Sequence, residues 1–274
     1  MPANPKACAD SETFAPVEAI AGRHDAGVLL LCDHASNALP AAYGTLGLLP
    51  EDLEKHIAYD IGAAAITRRL AARFAAPALL TRFSRLLIDP NRGAHDPTLV
   101  MRLSDGRIIP GNARIDAAEI EARRAFYWEP YRRAVAAHVS AMLAQGPPPA
   151  VIGIHSFTPV WKGVARPWQV GILWNGNPRF ALPLIAALAA EGINVGDNEP
   201  YAGALPGDTM DAEIARRGLA GLLIEIRQDL IADPAQAVGW ADRLADVLTP
   251  ILAQSELHQI DAAQIALCGE NNHS

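Results

Sequence analysis

The feature that most restricts the fold of this chain is a series of short, continuous apolar runs alternating with stretches of helical periodicity. GVLLLCD (27–33), AVIGIHSF (150–157), QVGILW (169–174) and LAGLLIEIRQ (219–228) are each of strand length. A run that is apolar at every position suits a strand buried on both faces, not one with a wet side. Shorter strand-like runs lie around ALLTRF (78–83) and RLLIDP (85–90). Apolar residues spaced by three and four predict helices over 50–74 and 115–143, the second bent at Pro130. The same spacing marks RFALPLIAALAAEG (179–192) and a closing helix from Pro234. Strands alternating with helices imply an α/β fold, a mostly parallel sheet covered on both sides. Without a repeat or a convincing linker, the reading is a single domain over 1–274 with its core at about 20–256 and less regular flanks, AAQIAL adding one helical turn.

Net charge is −7, which leaves no basic footprint for nucleic acid or an anionic membrane surface. The first twenty residues lack the apolar core of a secretory signal, and no uninterrupted apolar stretch reaches membrane-spanning length, so the cytoplasm is the expected compartment. Cys8, Cys32 and Cys268 are scattered and odd in number, which argues against a disulfide framework and a thiolate zinc site. Any metal must rest on histidine and carboxylate.

Three polar groups lie at or inside apolar strands: Asp33-His34, His155 and Glu225. Beyond the carboxyl ends of strands is where ligands gather in open α/β sheets. Either histidine alone could equally be a satisfied core residue or a cap. Glu225, flanked by Leu222, Leu223, Ile224 and Ile226, faces a desolvation cost unless it is paired or near a metal. Its alternatives are an ion pair with Arg227, two residues along the same strand face, or work as a general base or metal ligand. Arg85, Asp89, Asn91 and Arg92 in SRLLIDPNR, and Arg227, Gln228 and Asp229 in EIRQDL, offer guanidinium forks that suit a substrate carboxylate or, equally, surface ion pairs.

CDHASNALP, HIAYDIGA, SRLLIDPNR, IGIHSFTP, RPWQVGILWN, DNEPY and LLIEIRQDL, in this order over about residues 26–232, resemble the N-formylglutamate amidohydrolase family. The resemblance implies a three-layer αβα fold, zinc-dependent exopeptidase-like (phosphorylase/hydrolase-like), with one Zn2+ at the carboxyl edge of the sheet. It further implies His34 and His155 as zinc ligands, Glu225 as general base, and Asn91 and Arg92 on the carboxylate of a small N-formyl or N-acyl amino acid. The mechanism expected on that basis adds Arg85 or the metal at the oxyanion and Arg227 on the carboxylate. Where the family pattern has His-x-x-Glu, this chain has Asn37 three residues after His34. Asp60 is the expected replacement ligand, ahead of Asn37 and Asp33, with His56 behind it on a shared helix face. Glu213 stands where related sequences often carry histidine. Two other readings remain: a non-catalytic binding or regulatory protein on the same scaffold, and, ranked last, a serine hydrolase using Ser36 or Ser156 without a G-x-S-x-G elbow.

Overall fold

In the computed structural model, which describes residues 14–203 and 205–270, the buried runs become neighbouring strands of one sheet. Its strands are β1 (Val17–Ile20), β2 (Val28–Cys32), β3 (Ala78–Thr81), β4 (Ala150–Phe157), β5 (Val170–Leu173), β6 (Val195–Asp197) and β7 (Gly221–Arg227). They lie in the order β1-β3-β2-β4-β7-β5-β6, parallel except for the β1/β3 and β7/β5 pairs. The sheet is therefore mixed and mostly parallel. Three strands, β2, β4 and β7, run side by side in one direction and deliver their carboxyl ends to one edge.

Alternation along the strands sorts the core into two layers. Leu30, Ile152, Ile154, Leu222 and Ile224 pack against α1 (Ala63–Phe74), α4 (Pro178–Ala190) and α5 (Pro234–Leu252). Leu29, Leu31, Leu79 and Val151 face the opposite way and meet Tyr131, Val135, Val139 and Met142 of α3 (Glu129–Gln145). Sheet between helices is the three-layer arrangement that the apolar runs call for.

Three local expectations change. The helix predicted over 50–74 is one turn at Pro50–Leu53 followed by turns up to α1, because Gly62 takes φ +83° and a Cβ there would collide with the Ile231 carbonyl oxygen. The run RLLIDP is not a strand: Leu86, Leu87 and Ile88 are fully buried in small clusters away from the main sheet, Leu86 among loop residues and Leu87 and Ile88 against Tyr127 and its helical neighbours. The long helix is α2 (Ala117–Arg123) joined to α3 by a π-turn at Arg124–Trp128, where Glu129 N–H bonds Arg124 O. That wide turn ends beside Pro130, whose ring has no N–H and would crowd the carbonyl four residues back. The tail run AAQIAL opens α6 (Ala262–Glu270), and Cys8 lies outside the described residues. No helix among the described residues is long and apolar enough to cross a membrane.

The 198–203 loop rides close over the sheet edge. Cβ atoms on Gly171 or Gly203 would collide with the Glu199 carbonyl oxygen and with Trp174 and Asn198 respectively. Gly171→Ala is expected to cost about 1–3 kcal/mol, as overpacking does, and to show as a lower urea midpoint. An unchanged midpoint would mean the loop yields freely.

Candidate metal centre and active-site cavity

Beyond the ends of β2, β4 and β7 lies a cavity of about 590 Å³. Asp33 and His34 follow directly on β2, while His155 and Glu225 are register partners on the parallel strands β4 and β7, both on the α3 side of the sheet. Asp60 arrives from the turns before α1, tied in by its N–H to the His34 carbonyl at 2.9 Å. His34, Asp60 and His155 each offer a ligand atom, all within 4.8 Å of one another, and all three are buried.

Both Nδ1 atoms face Asp60 Oδ2, at 3.3 Å from His34 and 2.9 Å from His155. Both Nε2 atoms meet other carboxylates: His34 meets Asp89 Oδ1 at 2.7 Å, and His155 meets Asp33 Oδ2 at 3.1 Å. A neutral imidazole has one proton, so once Nε2–H is given to Asp33 or Asp89, Nδ1 presents a lone pair to the Asp60 carboxylate. Lone pair against lone pair is tolerable only if the rings are doubly protonated or a cation sits among the three atoms. Four carboxylates, Asp33, Asp60, Asp89 and Glu225, crowd this space, with Arg85 the guanidinium among them. Zinc ligands at about 2.0–2.2 Å from the metal stand roughly 3.3 Å apart in a tetrahedron, and two nitrogens, one carboxylate oxygen and carboxylate-held imidazoles match its preferences. The donor set fits a metal such as zinc.

The electrostatics follow from the same contacts. Burial works against ionisation of Asp33, Asp60 and Asp89, yet the histidines hold Asp33 and Asp60, and Arg85 with His34 holds Asp89, below the usual carboxylate range. For His155 burial disfavours the charged ring, but Asp33 and Asp60 lift it well above the ordinary histidine value. Glu225 behaves oppositely: burial pushes it up to about 7 against the pull of His155. Its Oε2 is buried without a hydrogen-bond partner among the described residues.

Arg85 lines the cavity, donates to Asp89 Oδ2 at 2.8 Å and stands 3.5 Å from Asp60 Oδ1. Asn91 and Arg92 also line it. Their loop is pinned from below by Arg123, which donates to the Leu87 carbonyl and to Asn112 Oδ1, while Asn112 Nδ2 reaches the Leu86 carbonyl. Asn91 Oδ1 accepts from Thr209 N–H at 3.3 Å, and Arg92 donates to the Asn91 carbonyl and to Thr98.

Arg227 is not brought in. Its guanidinium grips Asp229 through two bonds and reaches the Arg166 carbonyl, and it is absent from the cavity lining. Nor does it pair with Glu225. Asn37 turns away, donating to the Leu53 carbonyl and Glu54 Oε1, so it gives nothing to the three-residue group. His56 lines the cavity but, with no helix joining it to Asp60, faces Asp105 at 3.6 Å. Glu213 lies outside the lining and pairs with Arg217.

Some participants have little or no sequence signal. The Thr209 hydroxyl accepts from Arg132 at 3.0 Å and donates to Asp33 Oδ1 at 2.9 Å, the second contact made across 176 residues of chain. Asp89 as the partner of His34 could have been suspected, as an acid following Leu87 and Ile88 in an apolar run.

A mixed, mostly parallel sheet between helices, with buried histidines and carboxylates converging at its carboxyl edge, defines an α/β protein with a candidate metal centre. The description N-formylglutamate amidohydrolase matches residues 26–232. The chain belongs to the N-formylglutamate amidohydrolase family, a family of hydrolases. It is similar to the structure of a gene product from Agrobacterium tumefaciens, with 35% identity, a TM-score of 0.84, and coverage of 89% of this chain and 97% of that one. The N-formylglutamate amidohydrolase from Ralstonia eutropha is 18% identical, with a TM-score of 0.65 and coverage of 95% and 99%, a likeness of fold. Among curated proteins none matches.

Proposed function

We propose that this chain is a zinc-dependent amidohydrolase that cleaves an N-formyl or N-acyl amino acid into an acid and a free amino acid. The observation that carries the reading is the placing of Glu225, a buried carboxyl with an unpartnered oxygen, beside His155 in a cavity that also holds Asn91 and Arg92. His34, Asp60 and His155 would hold the metal. When bound, zinc would supply Lewis acidity, polarising the amide carbonyl and acidifying a water.

The remaining work falls to side chains of this chain. Glu225, with its proton affinity set near neutrality by burial, accepts the proton of the attacking water and hands it to the leaving nitrogen. Arg85, kept charged by Asp89 and Asp60, faces the oxyanion. Asn91 and Arg92 hold the substrate carboxylate and fix the amide against Glu225.

Asp33 positions His155 from behind, so Asp33→Asn is expected to weaken zinc binding about 10–100-fold. Competition with a chromophoric chelator measures this; affinity within twofold of the parent would remove Asp33 from the site. The reading as a whole is tested by acid release from N-formyl-L-glutamate and related N-acyl amino acids. Zinc-loaded, folded protein that cleaves none of them would refute it.

A further inference from the structure

The reacting groups and the carboxylate-binding pair account for only part of the cavity. Ile57, Met101, Trp161, Leu173, Tyr201 and Leu205 form much of the rest. At about 590 Å³ the space lies well inside the roughly 300–1,000 Å³ range of sites for drug-sized ligands. N-formylglutamate, a compact diacid without a ring, would leave that apolar wall wet.

The wall is held in place. Arg166, only 8% exposed, lies 5.4 Å from the Trp161 ring centre and 4.9 Å from that of Tyr201, and its Nη1 donates to the Tyr201 hydroxyl at 3.1 Å and to Thr158 Oγ1 at 3.2 Å. The His56 ring meets Trp161 edge-on at 6.3 Å. Trp161 sits on the small hairpin Val160–Trp161/Val164–Ala165, 37% exposed, and Tyr201 is 43% exposed on the loop fixed over Gly171. Two large aromatic surfaces that stay open at a cavity, yet are clamped by one buried guanidinium, are preorganised to bind and lose little freedom in doing so.

We infer that this half of the cavity is a subsite for a flat apolar group, and that the substrate is an N-acyl amino acid bearing an aromatic or comparably bulky apolar group. The inference rests on the hydrolase reading of the same cavity. The ring could belong to the acyl group or to the amino-acid side chain, and two probes separate these: N-benzoyl-L-glutamate and N-formyl-L-phenylalanine, each against N-formyl-L-glutamate.

With zinc-loaded protein, at least one ring-bearing compound should be cleaved with kcat/KM about tenfold or more above N-formyl-L-glutamate. Trp161→Ala should cut that ratio about tenfold, and Trp161→Phe should largely keep it. In parallel, calorimetry on Glu225→Gln protein should show the ring-bearing compound binding about tenfold more weakly when Trp161→Ala is added. N-formyl-L-glutamate preferred over both ring compounds, or Trp161→Ala altering ringed and ringless compounds alike, would overturn the subsite and leave the hydrolase reading standing. Trp161-dependent binding with no cleavage of any compound would support the subsite and overturn the hydrolase reading. Neither binding nor cleavage would overturn both.

Discussion

Glu225→Gln is expected to lower kcat by about a thousandfold, within the 10²–10⁴ range that proton transfer by a positioned side chain supplies, while zinc content stays at the parent level. The substitution keeps the shape of the side chain and removes the proton acceptor. A second effect has the opposite sign. Burial raises the Glu225 pKa from 4.5 to about 7, so the folded state binds this proton more tightly than the unfolded chain does. For a carboxyl raised in this way, the stabilisation is fully present below about 4.5 and is lost as pH rises through about 7. Glutamine resembles the protonated form at every pH. In metal-free protein the variant should therefore gain on the parent between pH 5 and pH 8, by on the order of 3 kcal/mol. Urea midpoints at the two pH values measure the gain. A variant that turns over within tenfold of the parent would strip Glu225 of its role as base, and a pH-independent midpoint difference would show that burial does not set its proton affinity.

Asp60→Asn carries the other large expectation. Asp60 stands against both histidines and near Arg85, so loss of its charge removes a candidate metal donor and leaves three cationic or potentially cationic groups facing one another. Zinc affinity should fall by more than roughly 100-fold, beyond the loss typical of supporting carboxylates, and hydrolysis at one equivalent of zinc should vanish. Circular dichroism at the parent level would show that the sheet survives. Retained affinity would mean that another group completes the donor set, and the Asp60 assignment would fall.

Much of the fold and part of the site are legible in the sequence. β2, β4, β5 and β7 are visible as apolar runs without a regular apolar/polar alternation, because strands buried on both faces leave nothing for water. His34, His155 and Glu225 stood out for the same reason: each interrupts or ends such a run. Asp60 is marked as a replacement ligand only by the family resemblance, and the helix expected to carry it is absent, broken by the left-handed Gly62. RLLIDP misled because a short apolar run looks alike whether it enters a sheet or lies buried outside it. Arg227 misled because two residues along a strand share a face but not a fate, and Asp229 with nearby carbonyls claims the guanidinium at the strand end. Thr209 and Arg132 gave no warning, since nothing local marks a hydroxyl that will meet Asp33 from the far end of the chain.

The most direct test of the central claim is a zinc titration of chelator-stripped, refolding-competent protein during acid release from an N-acyl amino acid substrate. The account predicts no turnover without metal, then a rate that rises linearly and saturates at one zinc per chain, with the Asp60→Asn protein flat over the same range. A rate that is full before zinc is added, or that rises equally in the Asp60→Asn protein, would contradict it.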